Sequence, residues 1–255
     1  MSDTNPPTVL CSETLRAHGF SHGFSTRLGG VSEGPYASMN LGGAVGDDPE
    51  RVRENHRLLA ERVGYDLARL HQTSQVHGAT VWCPPEDATP DVSRSIEADA
   101  LVARHAGMAV GVRVADCVPI LLASPVTGHV AAVHAGWRGV AKRIIAETVR
   151  ALNDTPRRVV AAVGPSIGPC CFEVGDEVAD EIAAASDPSV IVRVEGAKPR
   201  VDLWRAVEAQ LEGLGVRTVD SMRRCTRCDA ERFYSFRRDG QRSGRLLGVI
   251  VARGE

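Results

Sequence analysis

Apolar residues along this chain fall into two kinds of pattern. VPILLA (118–123), VAAV (130–133), RVVAAV (158–163) and LLGVIVA (246–252) are short, unbroken and rich in β-branched side chains. Runs of that length and composition predict strands. FSTR (24–27), ATVWC (79–83) and MAVGVRV (108–114) add further strand-like segments. Helical spacing appears between some of them. In DDPERVRENHRLLAERVG, Asp48 is placed as N-cap, Pro49 at the first helical position and Gly64 at the stop, with Val52, Leu59, Ala60 and Val63 on one face. VAKRIIAETVRALND lines up Val140, Ile144, Ile145, Thr148, Val149 and Leu152, and DLWRAVEAQLEGLG starts at Asp202 and spaces Leu203, Val207 and Leu211 four apart. CPPEDATPDVSRS (83–95) reads as a surface loop. Strands come in pairs as well as alternating with helices. That predicts an α+β fold, a mixed β-sandwich flanked by helices. With no repeat and no linker, one domain over 1–255 is expected, residues 1–19 being a less ordered segment.

Composition narrows the function classes. Aromatics make up only 4% of the 255 residues, so the core must be built from Val, Ile, Leu and Ala. Basic and acidic residues nearly cancel, 30 against 32, and no long run of one sign occurs. This argues against a nucleic-acid footprint or a membrane-surface patch; a small-molecule substrate is expected as partner from the motifs, not from the charge balance. The first twenty residues lack the pattern of a signal peptide, and the apolar runs are too short to span a bilayer. Seven cysteines, an odd number, then point to reduced thiols in the cytoplasm. Oligomeric state is not legible.

The candidate chemistry sits at the ends of two apolar runs. VPILLA and HVAAV flank SPVTG, a turn-like stretch. A hairpin centred near Pro125–Val126 pairs residues whose numbers sum to 251, which sets Cys117 against His134, close enough to share a metal ion or a proton. The plain alternative is that Cys117 packs and His134 bonds a turn; a one-residue slip would separate them. His77, in QVHGATV, would complete an N₂S set whose open fourth position is the pattern of a catalytic zinc site. The spacing matches no compact zinc motif, and such a set accepts copper as well as zinc.

Other segments carry weaker signals. CTRCD (225–229) holds a CxxC without a second one, and Cys170–Cys171 lie in the glycine-rich GPSIGPCCFEV; these four thiols read as structural. Arg27, in the loop FSTRLGGVSEGPYASMNLG that also carries Asn40, and Arg138, in GWRG, are candidates to clamp phosphate, with solvated arginines as the alternative. RRDGQRSGR (237–245) either lines a mouth for an anionic substrate or faces water.

FSTRLGGVSEGPY, SMNLG, VGDDPERVRENH, QVHG, ADALV, ADCVPILL, VAAVHAGWRG, GPSIGPCCFEV and CTRCD…FYSFRRDG occur in an order that resembles one family over nearly the whole chain. It is the zinc-containing purine nucleoside phosphorylase and peptidoglycan editing factor group, long labelled multicopper polyphenol oxidoreductase or laccase-like. The resemblance implies a four-layer sandwich of the cytotoxic-necrotizing-factor and laccase-domain type, with zinc held by His77, Cys117 and His134. It implies phosphorolysis of adenosine, inosine, guanosine and methylthioadenosine, with deamination of adenosine. The alternatives are an editing amidase that removes misincorporated L-serine from a cell-wall precursor, and a thiol hydrolase with Cys117 as nucleophile and His134 as base. Arg27, Asn40 and Arg138 are then expected at substrate or phosphate, and Asp116 as acid or base. Copper oxidase chemistry is disfavoured, because eight scattered histidines do not form coupled copper sites.

Overall fold

The computed structural model describes residues 8–193 and 195–254. Two sheets carry the fold. The six-stranded sheet runs Thr218–Ser221, Val160–Val163, Val118–Ala123, Val130–Ala135, Ala100–Ala103, Val81–Trp82. The five-stranded sheet runs Val9–Leu10, His22–Ser25, Leu246–Val251, Ala109–Val114, Leu70–His71. Alternate residues of one strand serve different layers. Val118, Ile120 and Leu122 pack with Ile144, Ile145, Ile182, Val207 and Leu211 of the helices, whereas Leu121 and Ala123 pack with Phe24, Val110, Val112 and Ile250 of the other sheet. The outer face of the five-stranded sheet, Leu70, Ala109, Leu247 and Val249, is covered by Leu59 and Ala60 of the helix Pro49–Val63. The order helix, sheet, sheet, helices is the expected four-layer α+β sandwich. Burial on both faces accounts for the unbroken apolar runs.

Several local expectations are corrected. The helix expected over 140–154 is two, Trp137–Ala141 and Ile144–Ala151, because Arg143 adopts a left-handed backbone (φ 59°) that interrupts the hydrogen-bond ladder; the apolar stripe is buried all the same. The surface loop at 83–95 contains the helix Pro90–Ser95, started by Thr89, whose hydroxyl accepts from Val92 N at 3.4 Å. The helix Asp176–Ala185 has no counterpart in the sequence reading. In the segment expected to be less ordered, residues 1–7 lie outside the described residues. Residues 8–19 form an edge strand and the helix Glu13–Ala17, whose Leu15 is fully buried. No helix among the described residues is long and apolar enough to cross a membrane.

Candidate metal centre and cavity

The hairpin forms with a register two residues from the expected one. Pro119 pairs with His134 and Val118 with Ala135, so the numbers sum to 253. The shift comes from the turn. Ser124 Oγ accepts from Thr127 N at 3.1 Å and Ser124 O from Gly128 N at 2.9 Å, with Gly128 at φ 71°, which seats the full 124–129 segment in the connection. A two-residue shift preserves the face. Cys117 then falls opposite Gly136, with His134 diagonal to it, and the space a side chain at 136 would fill stays open. A Cβ there would lie 3.1 Å from Cys117 Sγ and 3.0 Å from the His77 ring. His77 closes the group: one ligand atom from each of His77, Cys117 and His134 lies within 4.8 Å of the others.

Asp99, for which the sequence offered only its place in ADALV, organises this trio. Its fully buried carboxylate accepts from the backbone N–H of Val76 (3.2 Å), His77 (2.9 Å) and Gly78 (2.7 Å), and it pairs with His134 Nδ1 at 2.7 Å. Three amides converging on one carboxylate hold the QVHG turn, including the left-handed backbone of His77 (φ 59°). Occupying His134 Nδ1 leaves Nε2 as the atom free to ligate. Burial by itself would raise the Asp99 carboxyl; the His134 ring and the amide bonds overcome it and lower its pKa. Burial would likewise raise the Cys117 thiol, but the two imidazoles bring it down to about 6. Burial opposes charge on His134 as well, and the Cys117 thiolate and Asp99 override it, pushing the ring up to about 9. The centre is therefore poised as thiolate and imidazolium. Two imidazoles and a thiolate around a hollow suit a borderline-soft divalent cation with one position open.

The trio lines a cavity of about 490 Å³. Its apolar lining includes Ile167, Phe172 and Phe236, the last 49% exposed. Arg113, Arg237 and Arg245 line it as well, with Arg237 5.5 Å from the centre of the Phe172 ring and Arg245 5.9 Å from that of Phe236. Each of these arginines donates to uncharged oxygens: Arg113 to Thr73 O (2.7 Å), Arg237 to Glu173 O (2.9 Å), Arg245 to Ser243 O (2.6 Å). Burial lowers the pKa of Arg113 and of Arg245. Sequence reasoning reached Arg237 and Arg245 only through the RRDGQRSGR mouth and missed Arg113, which lies inside a strand.

Neither arginine expected to clamp phosphate is among the residues lining this cavity. Arg27 donates to Ala37 O (2.8 Å) and Ala230 O (3.1 Å) and stacks on Tyr234, tying two loops together away from the cavity. Arg138 is exposed and lies over the Trp137 ring, also outside the cavity lining. Asn40 is buried: its amide oxygen accepts from Gly42 N and Arg245 N, and its Nδ2 donates to Asp47. It positions Arg245 and the Gly42–Val45 rim. Asp116, at φ 88°, does line the cavity, and its carboxylate accepts from Thr226 Oγ1 and Arg237 N, each at 2.6 Å. Its visible work is to join the cysteine turn to the C-terminal segment.

Residues 21–253 match the family described as multi-copper polyphenol oxidoreductase laccase. The chain is 43% identical over 237 residues to a purine nucleoside phosphorylase of Streptomyces coelicolor, covering 91% of this chain and 96% of that one. A purine nucleoside phosphorylase of Deinococcus radiodurans is 42% identical, covering 90% and 88%. The crystal structure of YlmD from Geobacillus stearothermophilus superposes with a TM-score of 0.89 at 33% identity, over 98% of this chain and 97% of that one. That of Neisseria meningitidis protein NMB0706 gives 0.87 at 31% identity, over 97% and 100%.

Proposed function

This chain belongs to the YfiH-type, purine-nucleoside-phosphorylase-like family once grouped with laccases, and from that premise we propose that it is a zinc-dependent purine nucleoside phosphorylase that also deaminates adenosine. One observation carries the reading: a single cavity joins an open His77–Cys117–His134 centre to aromatic side chains and to three arginines. A purine is flat and apolar-faced, and Phe172 and Phe236 offer it rings to stack against. Phosphate is a compact dianion, and Arg237 and Arg245 are the guanidiniums best set to hold it beside the ribose. In phosphorolysis a phosphate oxygen forms a bond to ribose C1′ as the C1′–N9 bond breaks, its electron pair leaving with the purine, which takes up a proton. Zinc held by His77, Cys117 and His134 supplies Lewis-acid activation when bound. Asp99 keeps the His134 ring aimed, and the arginines orient the anion. A cavity of this volume accommodates a nucleoside and an anion together.

Ribose 1-phosphate formed from inosine and phosphate, followed by ³¹P NMR, tests the reading. We expect build-up that saturates in phosphate, with half-saturation raised at least roughly tenfold in Arg245→Ala, a loss of one charge-assisted contact. Base released at the same rate without phosphate would replace phosphorolysis by hydrolysis. A second reading has its own observation: the lowered Cys117 pKa beside His134 also suits a thiolate nucleophile. Alkylation of Cys117 abolishing an activity that persists in metal-free protein would favour it.

A further inference from the structure

Four cysteines take no part in the cavity chemistry. Cys170 and Cys171 lie in the glycine-rich loop before the helix Asp176–Ala185, and Cys225 and Cys228 lie in CTRCD, more than fifty residues later. Their sulfur atoms all lie within 4.8 Å of one another, Cys228 being 3.5 Å from Cys170 and 3.3 Å from Cys171. We propose that these four thiols form a second metal site, a closed tetrathiolate that holds one zinc-class divalent cation and clips the two loops together.

Plain packing does not explain the group. Thiols gathered for their apolar character are buried, yet Cys170 and Cys228 are exposed. A disulfide would bring two sulfurs to about 2.05 Å and would leave the other two without a reason to converge. A tetrahedral ion with zinc–sulfur bonds of about 2.3 Å sets neighbouring sulfurs about 3.8 Å apart, which is the scale of the separations found. The sulfurs also have the donors that thiolates on a cation require. Gly168 N donates to Cys225 Sγ at 3.3 Å, and Arg227 reaches Cys171 Sγ at 3.4 Å. Four thiolates on a divalent cation leave two net negative charges, which Arg227, and Arg200 bonded to Cys170 O at 3.1 Å, lie close enough to offset.

With all four positions filled by protein, the site has no room for substrate, so its role is structural. What it joins gives it a purpose. The two loops touch through a short parallel bridge, Ser166 N to Arg224 O (3.1 Å) and Thr226 N to Ser166 O (3.0 Å). Phe172, next to Cys171, lines the cavity, and Thr226, next to Cys225, holds Asp116 beside the cysteine of the other centre. The clip thereby fixes both the stacking surface and the Asp116 turn.

Metal analysis of the full chain, purified with zinc present, tests this. The wild type should carry two zinc ions per chain, the His77→Ala/His134→Ala variant one, and Cys225→Ser/Cys228→Ser also one. Cobalt loading of the His77→Ala/His134→Ala protein gives a reading independent of how the cysteine variant folds: intense sulfur-to-cobalt charge-transfer bands and tetrahedral visible bands are expected. A single zinc in the wild type that disappears completely in His77→Ala/His134→Ala, or cobalt-loaded protein without thiolate bands, would overturn the proposal. So would an unfolded, metal-stripped chain that titrates two fewer than its seven thiols, which would show a disulfide. An iron–thiolate spectrum in the protein as isolated would overturn the zinc assignment.

Discussion

At the scale of single residues, the centre depends on two positions that carry no ligand atom. Gly136 has ordinary extended backbone (φ −70°), so Gly136→Ala should fold, but the new Cβ would crowd Cys117 Sγ and the His77 ring. The variant should therefore keep its thermal transition while its zinc affinity falls; a variant with unchanged zinc affinity would remove the glycine from the account. Asp99→Asn keeps the shape and removes the charge that holds the turn amides and the His134 ring. Losses of roughly 10- to 100-fold in metal affinity are typical for partners of this kind, and competition with a chelator would measure it. Proton linkage follows from the same groups. Without metal, His134 is protonated below about 9 and Cys117 is a thiolate above about 6, so zinc binding at pH 7.5 must displace the His134 proton. Apparent affinity should drop roughly tenfold per pH unit between 9 and 6, and more steeply below 6 as the thiol competes too. Calorimetry in two buffers of different ionisation enthalpy should report about one proton released at pH 7.5. The three candidate ligands were legible in part: the facing ends of two apolar runs set Cys117 near His134, and the family resemblance joined His77 to them. The arginines were not: Arg27 and Arg113 look alike in a sequence, and only packing decides that one stacks on Tyr234 and the other lines the cavity.

At the scale of elements, the site is set by the ends of strands and by the loops fastened to them. The hairpin Val118–Ala123 and Val130–Ala135 was readable from its two apolar runs, yet its register was not, because Ser124 and Gly128 place the centre of the turn one residue on from Pro125–Val126. The break at Arg143 was hidden for a similar reason: a left-handed arginine leaves no mark in the apolar spacing on either side. Asn40 shows how a buried loop residue is tied to a residue that lines the cavity. Asn40→Ala strands the Arg245 and Gly42 amides and should cost about 2 kcal/mol or more of stability. Denaturant unfolding checks that figure, and phosphate half-saturation should rise in parallel because Arg245 loses its anchor. By contrast, Arg27→Ala should lower stability and leave phosphate saturation unchanged.

At the scale of the molecule, four layers place the cavity at the ends of the interior strands Ala109–Val114, Val118–Ala123 and Val130–Ala135, beside the C-terminal segment. A mixed sandwich was legible from strands that come in pairs and its four layers from the family resemblance, whereas the strand order was not legible. Leu246–Val251, nearly last in the chain, lies in the middle of the five-stranded sheet between His22–Ser25 and Ala109–Val114, pairings separated by more than a hundred residues that no local pattern encodes. Removing residues 246–255 should abolish cooperative folding as followed by circular dichroism, since it empties the centre of a sheet and exposes both cores. The account as a whole rests on one claim, that the His77–Cys117–His134 centre and the cavity arginines act on the same nucleoside. Chromatographic product analysis of zinc-loaded protein with adenosine, with and without phosphate and beside Cys117→Ala, tests it most directly. Adenine and ribose 1-phosphate only with phosphate, inosine in both buffers, and neither product from Cys117→Ala is the predicted result; no product in either buffer, or equal product from Cys117→Ala, would contradict it.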